Sequence, residues 1–484
     1  MALQEDKCPA TALHIAKNWL KVLNQDADLA QMVMLVCLRV SQMMCFNRCR
    51  IYNEELTFRS TFPNLYVLLF AHSGSGKDKS LVDMKEVSPH FDDEIKVMFE
   101  ASYKLKEEAI GKMAESLPSG KALEYRLTHE ARLMKYQADN TATPEGLIAM
   151  RDVFSEAKFG FIHWSDSEFM DTAKKMGKNP VLDYLITIHK EAYEYGNTTG
   201  KLIKGNKKVS DIHGVPHTAL LHSPIVSSDS RKIFHDFFNH GMGRRMFTIF
   251  PQDAPEQDER SIDEIRAILQ EAQKEKPSMK ALMQDILARV RKDMSAQYGT
   301  GEREYTLPEN AVRRYLEYKL WCGNEAKKIR NRDGINEGLK REMDGRYWKM
   351  IRLACCIAAM EHDAYEIQET DIEKAIYLTD YFGDHFARFY GLDRKIDGQK
   401  IFEFIKEEGF EIPITKMVIY SQEFAEKNKA KLKSWFFDSM EIVLDICAEN
   451  DEELKVLPLE KQGNGIRFVI VPKGSRNELK NFTL

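Results

Sequence analysis

The chain has 484 residues, more than one ordinary hydrophobic core organises, so two to four domains are expected. A composition of 43% hydrophobic and 30% charged residues excludes an intrinsically disordered chain and is typical of a folded, helix-rich protein. The formal net charge of −5 excludes a protein that is basic overall, although a local basic groove for nucleic acid remains compatible with it.

Three features bear on the cellular compartment. The first twenty residues lack a basic stretch followed by an apolar one, so no signal peptide is expected. The longest apolar run, around MVMLVCLRV, is expected to be too short and too interrupted to cross a bilayer. The cysteines do not repeat at zinc spacing, which favours buried reduced thiols over disulfides or a metal site. We therefore expect a cytoplasmic protein.

Residues 1–58 are expected to form a helical region, because apolar residues recur at helical spacing between 10 and 50. The apolar run FPNLYVLLFAHSGSGK then ends in glycines, which predicts a buried parallel strand followed by a helix from Asp78. Residues 84–138 contain two charged amphipathic stretches joined at PSG, and they predict a helical hairpin inserted after that strand.

Further strands are predicted in FGFIHWSDSEF, in HTALLHSPIVSS and in the short MFTIFP stretch, which follows an aromatic helix interrupted by Gly241 and Gly243. Alternation of strands and helices predicts an α/β fold with a mostly parallel sheet over residues 59–260. Residues 261–392 have a nearly all-helical pattern. Residues 393–484 mix helices with a hairpin around Gly-Asn-Gly, which suggests a winged-helix-like domain.

The stretch AHSGSGKD matches the pattern of a phosphate-binding loop, which is Gly or Ala, four residues, Gly, Lys, then Ser or Thr. Ala71, Gly76 and Lys77 fit, whereas Asp78 replaces the hydroxyl residue. Backbone N–H groups of a glycine-rich turn bind anions, and Lys77 would reach the β- and γ-phosphates of ATP. The nucleotide-binding residues predicted from this pattern are His72, Ser73, Gly74, Ser75, Gly76, Lys77 and Asp78. The alternative is a tight strand–helix turn that contains GSGK by chance.

Two acids at the end of the second strand complement such a loop. We predict Asp166 as a ligand of Mg²⁺ and Glu168 as the base that orients the attacking water. On a regular strand, Asp166 and Glu168 would share one face. Asp78 is a second candidate ligand of Mg²⁺, since a carboxylate can bind this ion, but its charge beside the phosphates should increase dependence on the metal. Solvated acids in an exposed turn are the alternative.

Basic residues suggest two further roles. Arg244 and Arg245 lie in a glycine-flanked turn, where an arginine could reach the γ-phosphate bound to a neighbouring subunit, although a pair of surface arginines is nearly as compatible. A basic, glycine-containing loop at residues 196–214 would suit a pore hairpin that contacts nucleic-acid phosphates, or a solvated surface hairpin. Its cationic residues are Lys201, Lys204, Lys207 and Lys208.

From FPNLYVLLFAHSGSGKDKSL through TPEGL and WSDSEF to HGMGRRMF, the chain resembles a family of helicase-like P-loop ATPases of phages and mobile elements. The segment GRYWKMIRLACCIAAMEHDAYEIQETDIEKAIYLTDYF resembles the helical lid of AAA+ replicative helicases of the minichromosome-maintenance kind, with Thr370, Asp371 and Ile372 starting its last helix. The resemblance covers residues 60–392. It implies a P-loop NTPase fold with a helical lid, ATP and Mg²⁺ as cofactors, a ring of identical subunits, typically six, and single-stranded DNA threaded through it.

These residues favour an ATP-dependent, helicase-like motor that acts on DNA in phage or mobile-element replication. Asp78 and Ser167, which separates the two acids, depart from the family pattern and argue against brisk hydrolysis. They favour an alternative, a nucleotide-gated assembly or regulatory ATPase that hydrolyses weakly and does not unwind DNA. A small-molecule kinase is disfavoured by the length, the lid pattern and the terminal domain.

Overall fold

The computed structural model describes most of the chain up to residue 407 and short parts of the remainder. The described residues are 3–23, 29–54, 60–71, 85–118, 120–122, 137–139, 147, 151, 154, 159–195, 214–224, 234, 237–250, 261–291, 303–329, 337–407, 412–413, 443–444, 446–447, 450, 452–458 and 466–473. The chain divides into two compact units: unit 1 comprises Met1–Lys328 and Lys340–His385, and unit 2 comprises Ile329–Leu339 and Phe386–Leu484.

The described elements are helices and strands in the alternation that the sequence predicts. The helices are α1 (Ala10–Leu23), α2 (Leu29–Phe46), α3 (Pro89–Glu115), α4 (Phe169–Ala173), α5 (Pro180–Tyr195), α6 (Ile262–Val290), α7 (Glu309–Lys328), α8 (Glu337–Glu361) and α9 (Glu369–Glu407). The strands are β1 (Arg50–Tyr52), β2 (Ser60–Thr61), β3 (Tyr66–Ala71), β4 (Gln137–Asp139), β5 (Ile162–Asp166), β6 (His217–Pro224), β7 (Met246–Ile249), β8 (Glu304–Tyr305), β9 (Ile412–Pro413), β10 (Glu452–Pro458) and β11 (Ile466–Pro472).

A five-stranded sheet forms the centre of unit 1. Its strand order is β4-β5-β6-β3-β7, and every neighbouring pair is parallel, so the predicted α/β fold with a parallel sheet is confirmed. A second, small sheet has the order β2-β1-β8. The prediction of a helical hairpin over residues 84–138 is correct for its first helix, α3, but wrong for its last residues. Residues Gln137–Asp139 form strand β4 beside β5 instead of the last turn of a helix, because sheet pairing supplies their backbone hydrogen bonds.

The continuous apolar run of β3 reflects burial on both faces of the sheet. Val67 and Leu69 belong to the same core cluster as the side chains of α2 and α8. Tyr66 and Phe70 point to the other face, where the Tyr66 hydroxyl donates to His189 O at 2.7 Å. The helices thus cover the sheet on both sides and leave its two edges as the places where polar groups gather.

The N-terminal helices predicted within residues 10–50 are confirmed as α1 and α2. Among the described residues, α2 is long and apolar enough to cross a membrane by length and composition, so the expectation that this run is too short was wrong. However, 94% of its apolar window is buried inside the protein, and a core helix passes the same test. Its burial is explained by packing in the core of unit 1.

All eight cysteines are buried free thiols, as the sequence predicts. Burial raises the pKa of Cys8, Cys49 and Cys322 to about 12 in each case. These thiols are therefore protonated at neutral pH. Since the thiolate is the reactive species, they act as core residues and not as reactive groups.

Helices α6 to α9 occupy most of the described part of residues 261–392, although Glu304–Tyr305 form strand β8 and residues 292–302 and 330–336 lie outside the described part. The last of these helices begins at Glu369, so Thr370 lies inside the first turn rather than before it. Asp371 Oδ2 accepts from the backbone N–H of Gln368 at 2.8 Å, which is how an acid in the first turn closes the start of a helix. In unit 2, β10 pairs antiparallel with β11, which confirms the predicted terminal hairpin, and β9 pairs with β11.

Candidate functional site

The carboxyl ends of the parallel strands bring the predicted chemistry to one edge of the sheet. Ala71, the last residue of β3, lies beside Pro224 at the end of β6, and Asp166 at the end of β5 lies beside Leu221. Since β6 separates β3 from β5, the axes of those two strands are about 10 Å apart. The segment that starts the predicted phosphate loop and the strand that ends in the acids therefore point the same way.

The strand order places a crevice at this edge. After β3 the chain goes to β4 at one side of the sheet, whereas after the neighbouring strand β6 it passes over to β7 at the other side. Where neighbouring connections leave in opposite directions, open α/β sheets bind ligands outside the carboxyl ends of the strands. The candidate site is therefore the edge formed by the ends of β3, β6 and β5.

Asp166 is buried and organises the turn that follows β5. Its Oδ1 accepts from the backbone N–H of Glu168 at 3.0 Å, and its Oδ2 accepts from Thr172 Oγ1 at 2.6 Å. The predicted Mg²⁺ ligand thus also has a local role at the start of α4.

Glu168 is exposed, and its carboxylate has no partner among the described residues. The expectation that Asp166 and Glu168 share one strand face was wrong, because β5 ends at Asp166 and Glu168 already occupies the N-cap of α4. The turn nevertheless keeps the two acids adjacent. Of the pair, Asp166 is fixed by its bonds and Glu168 is available for proton transfer.

Two polar side chains lie near the end of the neighbouring strand β6. His222 and Ser223 lie near the end of β6, and Ser223 is level with Phe70 of β3. Both are buried.

Several predicted residues lie outside the described part of the chain. The phosphate-loop residues are His72, Ser73, Gly74, Ser75, Gly76, Lys77 and Asp78, and the basic-loop residues are Lys201, Lys204, Lys207 and Lys208. Among the residues that the structure describes, no group of three or more His, Cys, Asp or Glu side chains could hold a metal ion. The predicted pair Asp78 and Asp166 includes one residue outside that range.

Arg244 and Arg245 lie at the opposite, amino-terminal edge of the sheet. They precede β7, whose first residue Met246 is beside Tyr66, the first residue of β3. Five residue steps along β3 correspond to about 16 Å, so these arginines are on the far side of the sheet from the candidate site in the same chain. An action on bound phosphate would therefore have to occur in another copy.

Glu194, at the end of α5, holds both arginines. Its Oε1 accepts from Arg245 Nη2 at 2.6 Å and from Arg244 Nη2 at 3.2 Å, and its Oε2 accepts from Trp348 Nε1 at 2.9 Å. Arg245 is buried and also donates to Gly241 O at 2.6 Å, whereas Arg244 is about half-exposed. Only Arg244 of this pair presents its guanidinium at the surface.

A buried polar stripe on α8, missed by the sequence analysis, reinforces the same edge. Lys349 Nζ donates to Met246 O at 3.0 Å and to Glu342 Oε1 at 2.8 Å. Arg352 donates to Tyr193 O at 2.7 Å and to Asn64 Oδ1 at 3.0 Å. The spacing of Glu342, Arg346, Lys349 and Arg352 by four, three and three residues was a readable signal, since it puts them on one helix face.

Three buried histidines lie in or against the sheet: His163 on β5, His217 at the start of β6 and His189 on helix α5. Burial lowers the pKa of His163 and of His189 to about 3, and it lowers that of His217 well below its ordinary value. His189 and His217 lie with their Nδ1 atoms 3.0 Å apart, so one ring donates and the other accepts. All three are neutral at pH 7, which suits core residues rather than proton donors.

No protein-family model matches the chain, and no curated protein matches it. Function is therefore inferred from the residues and their arrangement.

Proposed function

We propose that the chain is a P-loop ATPase of the AAA+ helicase-like kind, an ATP-dependent motor that acts on DNA in phage or mobile-element replication. One observation carries the proposal. Strand β3, which leads into the phosphate-loop sequence, and strand β5, which ends in Asp166, reach the same edge of a parallel sheet at a topological switch point.

Each residue of the proposed site has a distinct task. The backbone of residues 72–78 cradles the phosphates of ATP, and Lys77 contacts the β- and γ-phosphates. Glu168 accepts a proton from the attacking water, because its carboxylate is exposed beside the fixed turn. Asp166 keeps that turn in place through its bonds to Glu168 and Thr172.

Asp78 and Asp166 would hold Mg²⁺. Both side chains are carboxylates, and Mg²⁺ prefers carboxylate and water ligands. When bound, Mg²⁺ neutralises charge that develops on the phosphates during transfer.

The opposite position of Arg244 supports assembly of several copies. Because it lies at the amino-terminal edge, Arg244 would serve the nucleotide of a neighbouring subunit, as in a ring of six. Arg245 would hold the turn in place through Glu194 and Gly241. In this proposal, residues 261–392 form the lid, and the lysines of residues 196–214 contact single-stranded DNA. In the same proposal, residues 393–484, which include the β10–β11 hairpin, form a winged-helix-like domain. We also propose that the protein is cytoplasmic.

A second candidate function is a nucleotide-gated assembly or regulatory ATPase that hydrolyses slowly and does not unwind DNA. Two observations favour it. Asp78 replaces the usual hydroxyl residue, and both oxygens of Asp166 already accept hydrogen bonds within the chain. Each would weaken the hold on Mg²⁺ without preventing the loop from binding phosphate.

An ATPase assay with Mg²⁺, with and without single-stranded DNA, distinguishes these functions. For the motor we expect turnover that DNA stimulates and that Lys77→Ala abolishes while the fold is retained. Nucleotide-dependent oligomers with slow turnover, unchanged by DNA, would favour the second candidate. Full turnover by Lys77→Ala would contradict both.

A further inference from the structure

A buried arginine interrupts the apolar surface of α2. Arg39 and Gln42 are three residues apart, on one face of this helix, and each is less than one-tenth exposed. Burying a guanidinium costs free energy unless it is fully bonded, and apolar residues of similar volume often give equal stability. The burial of Arg39 therefore suggests that this side chain has a specific role in positioning its partners.

The partners of Arg39 lie at the start of α3, the first described helix after the phosphate-loop sequence. Arg39 Nε donates to Ser88 Oγ at 2.6 Å, and Nη2 donates to Asp92 Oδ2 at 2.7 Å. The guanidinium also lies 4.7 Å from the centre of the Phe91 ring. Ser88 is the N-cap of α3, and its side chain makes no cap bond to the helix. Arg39 thus fixes the entry of the chain into α3.

A third hydrogen bond of the guanidinium continues toward the acid-bearing strand. Arg39 Nη1 donates to Gln42 Oε1 at 3.0 Å, which sets the orientation of the Gln42 amide. The amide nitrogen, a donor only, then faces His163 Nδ1 at 3.3 Å, and Thr218 Oγ1 lies 2.9 Å from the same atom. Nδ1 is therefore the acceptor, and the ring proton of the neutral His163 is on Nε2.

These contacts form one continuous chain of hydrogen bonds. They run from Ser88 and Asp92 through Arg39 and Gln42 to His163 on β5 and Thr218 on β6. His163 stands three residues before Asp166 on the same strand. The chain that follows the phosphate-loop sequence is thereby held against the two strands that form the candidate site.

We propose that Arg39 is a positioning residue, which acts through Gln42 and His163 to hold the chain that follows the phosphate loop in register with the acid-bearing strand β5. This inference rests on the proposed ATPase function. Nucleotide affinity depends mainly on the loop itself, whereas hydrolysis also needs the γ-phosphate at the correct distance from Glu168. A misplacement of about 1 Å is enough to cost on the order of 100-fold in rate.

The test compares three variants with the wild type. Arg39→Met removes all the guanidinium bonds, and Gln42→Met removes only the link to His163 while Arg39 keeps its bonds to α3. Lys276→Gln is the matched control, because Lys276 donates to Glu86 at 2.9 Å just before α3 but has no link to β5. Each protein is assayed for kcat and for the dissociation constant of a fluorescent ATP analogue, below its unfolding temperature.

We expect kcat to fall by about 10- to 100-fold in Gln42→Met and Arg39→Met, with the dissociation constant within about threefold of wild type. Lys276→Gln should change neither quantity. If Gln42→Met keeps wild-type kcat, or if affinity falls while kcat is unchanged, the positioning role is wrong although the ATPase stands. If the wild type itself neither binds nor hydrolyses ATP, the proposed function fails and this inference fails with it.

Discussion

The two edges of the parallel sheet are built from different interactions. At the amino-terminal edge, Arg245, Lys349 and Arg352 are buried and donate to backbone carbonyls and carboxylates of several elements. At the carboxyl-terminal edge, Asp166 bonds to its own turn, and the side chain of Glu168 is exposed. Polar groups that are committed to other parts of the protein stabilise the fold, whereas uncommitted ones are available for ligands. This difference supports the proposal that the carboxyl-terminal edge carries the chemistry, while the amino-terminal edge stabilises the fold.

The largest expected effect is a loss of stability at the amino-terminal edge of the sheet. Arg352→Met should lower the free energy of unfolding by about 3–5 kcal/mol, because buried carbonyl and amide oxygens lose their donor. Urea denaturation followed by circular dichroism measures the change. Arg313→Met is the control, since Arg313 is 83% exposed, and it should stay within about 0.5 kcal/mol of wild type. A loss below about 1 kcal/mol for Arg352→Met would contradict the assignment of stability to this edge.

At the carboxyl-terminal edge, the exposed side chain of Glu168 should affect activity and not stability. Glu168→Gln should reduce ATP turnover by about 100-fold or more, because the amide cannot accept the proton of the attacking water. Its free energy of unfolding should be unchanged, since the carboxylate has no partner among the residues that the structure describes. Asp166→Asn, compared in the same assays, should lose both turnover and stability. Wild-type turnover in Glu168→Gln would remove the proposed base.

The buried histidines His163 and His189 predict that the protein loses stability in acid. Their pKa is near 6.5 in the unfolded chain and is lowered to about 3 for His163 and His189, so between these values the unfolded state binds more protons. The free energy of unfolding should therefore decrease as the pH is lowered from about 6.5 to about 3. At pH 5 each histidine should have lowered it by about 2 kcal/mol relative to pH 7.

Denaturant titrations at pH 7 and pH 5 check this prediction. His163→Gln keeps a group that can bond to Thr218 but cannot take up a proton in this range, so its pH dependence should be weaker than that of the wild type. Equal stability of the wild type at both pH values would mean that these rings are not held neutral.

The smallest expected effect tests how tightly α8 meets the amino-terminal edge. A Cβ at Gly345 would lie 2.8 Å from Arg244 Cβ, so Gly345→Ala should cost about 1 kcal/mol despite the better helix propensity of alanine. A Cβ at Gly323, inside α7, would have Asp344 Oδ1 as its nearest neighbour at 3.8 Å, so Gly323→Ala should stabilise the protein by about 0.5–1 kcal/mol. Thermal unfolding of both variants measures the contrast, and shifts of the same sign would contradict it.

Local patterns predicted much of this architecture. The apolar runs of β3 and β6, and the acids after β5, were readable because burial and strand ends leave local signatures. Three findings depend on distant pairing and could not be predicted from local patterns, although the spacing of the α8 stripe along its helix was visible in the sequence. Gln137–Asp139 became a strand beside β5, Arg244 fell at the edge opposite to Asp166, and the charged stripe of α8 proved to be buried because its partners come from residues 61–64, 193–194 and 246.

The most direct test of the account is calorimetric titration of ATP with Mg²⁺ into the wild type, Lys77→Ala and Arg244→Gln. If the carboxyl-terminal edge binds the nucleotide, Lys77→Ala should lose at least about 100-fold in affinity, which corresponds to about 2.7 kcal/mol, and Arg244→Gln should bind like the wild type. Binding by Lys77→Ala at wild-type affinity would contradict the central claim.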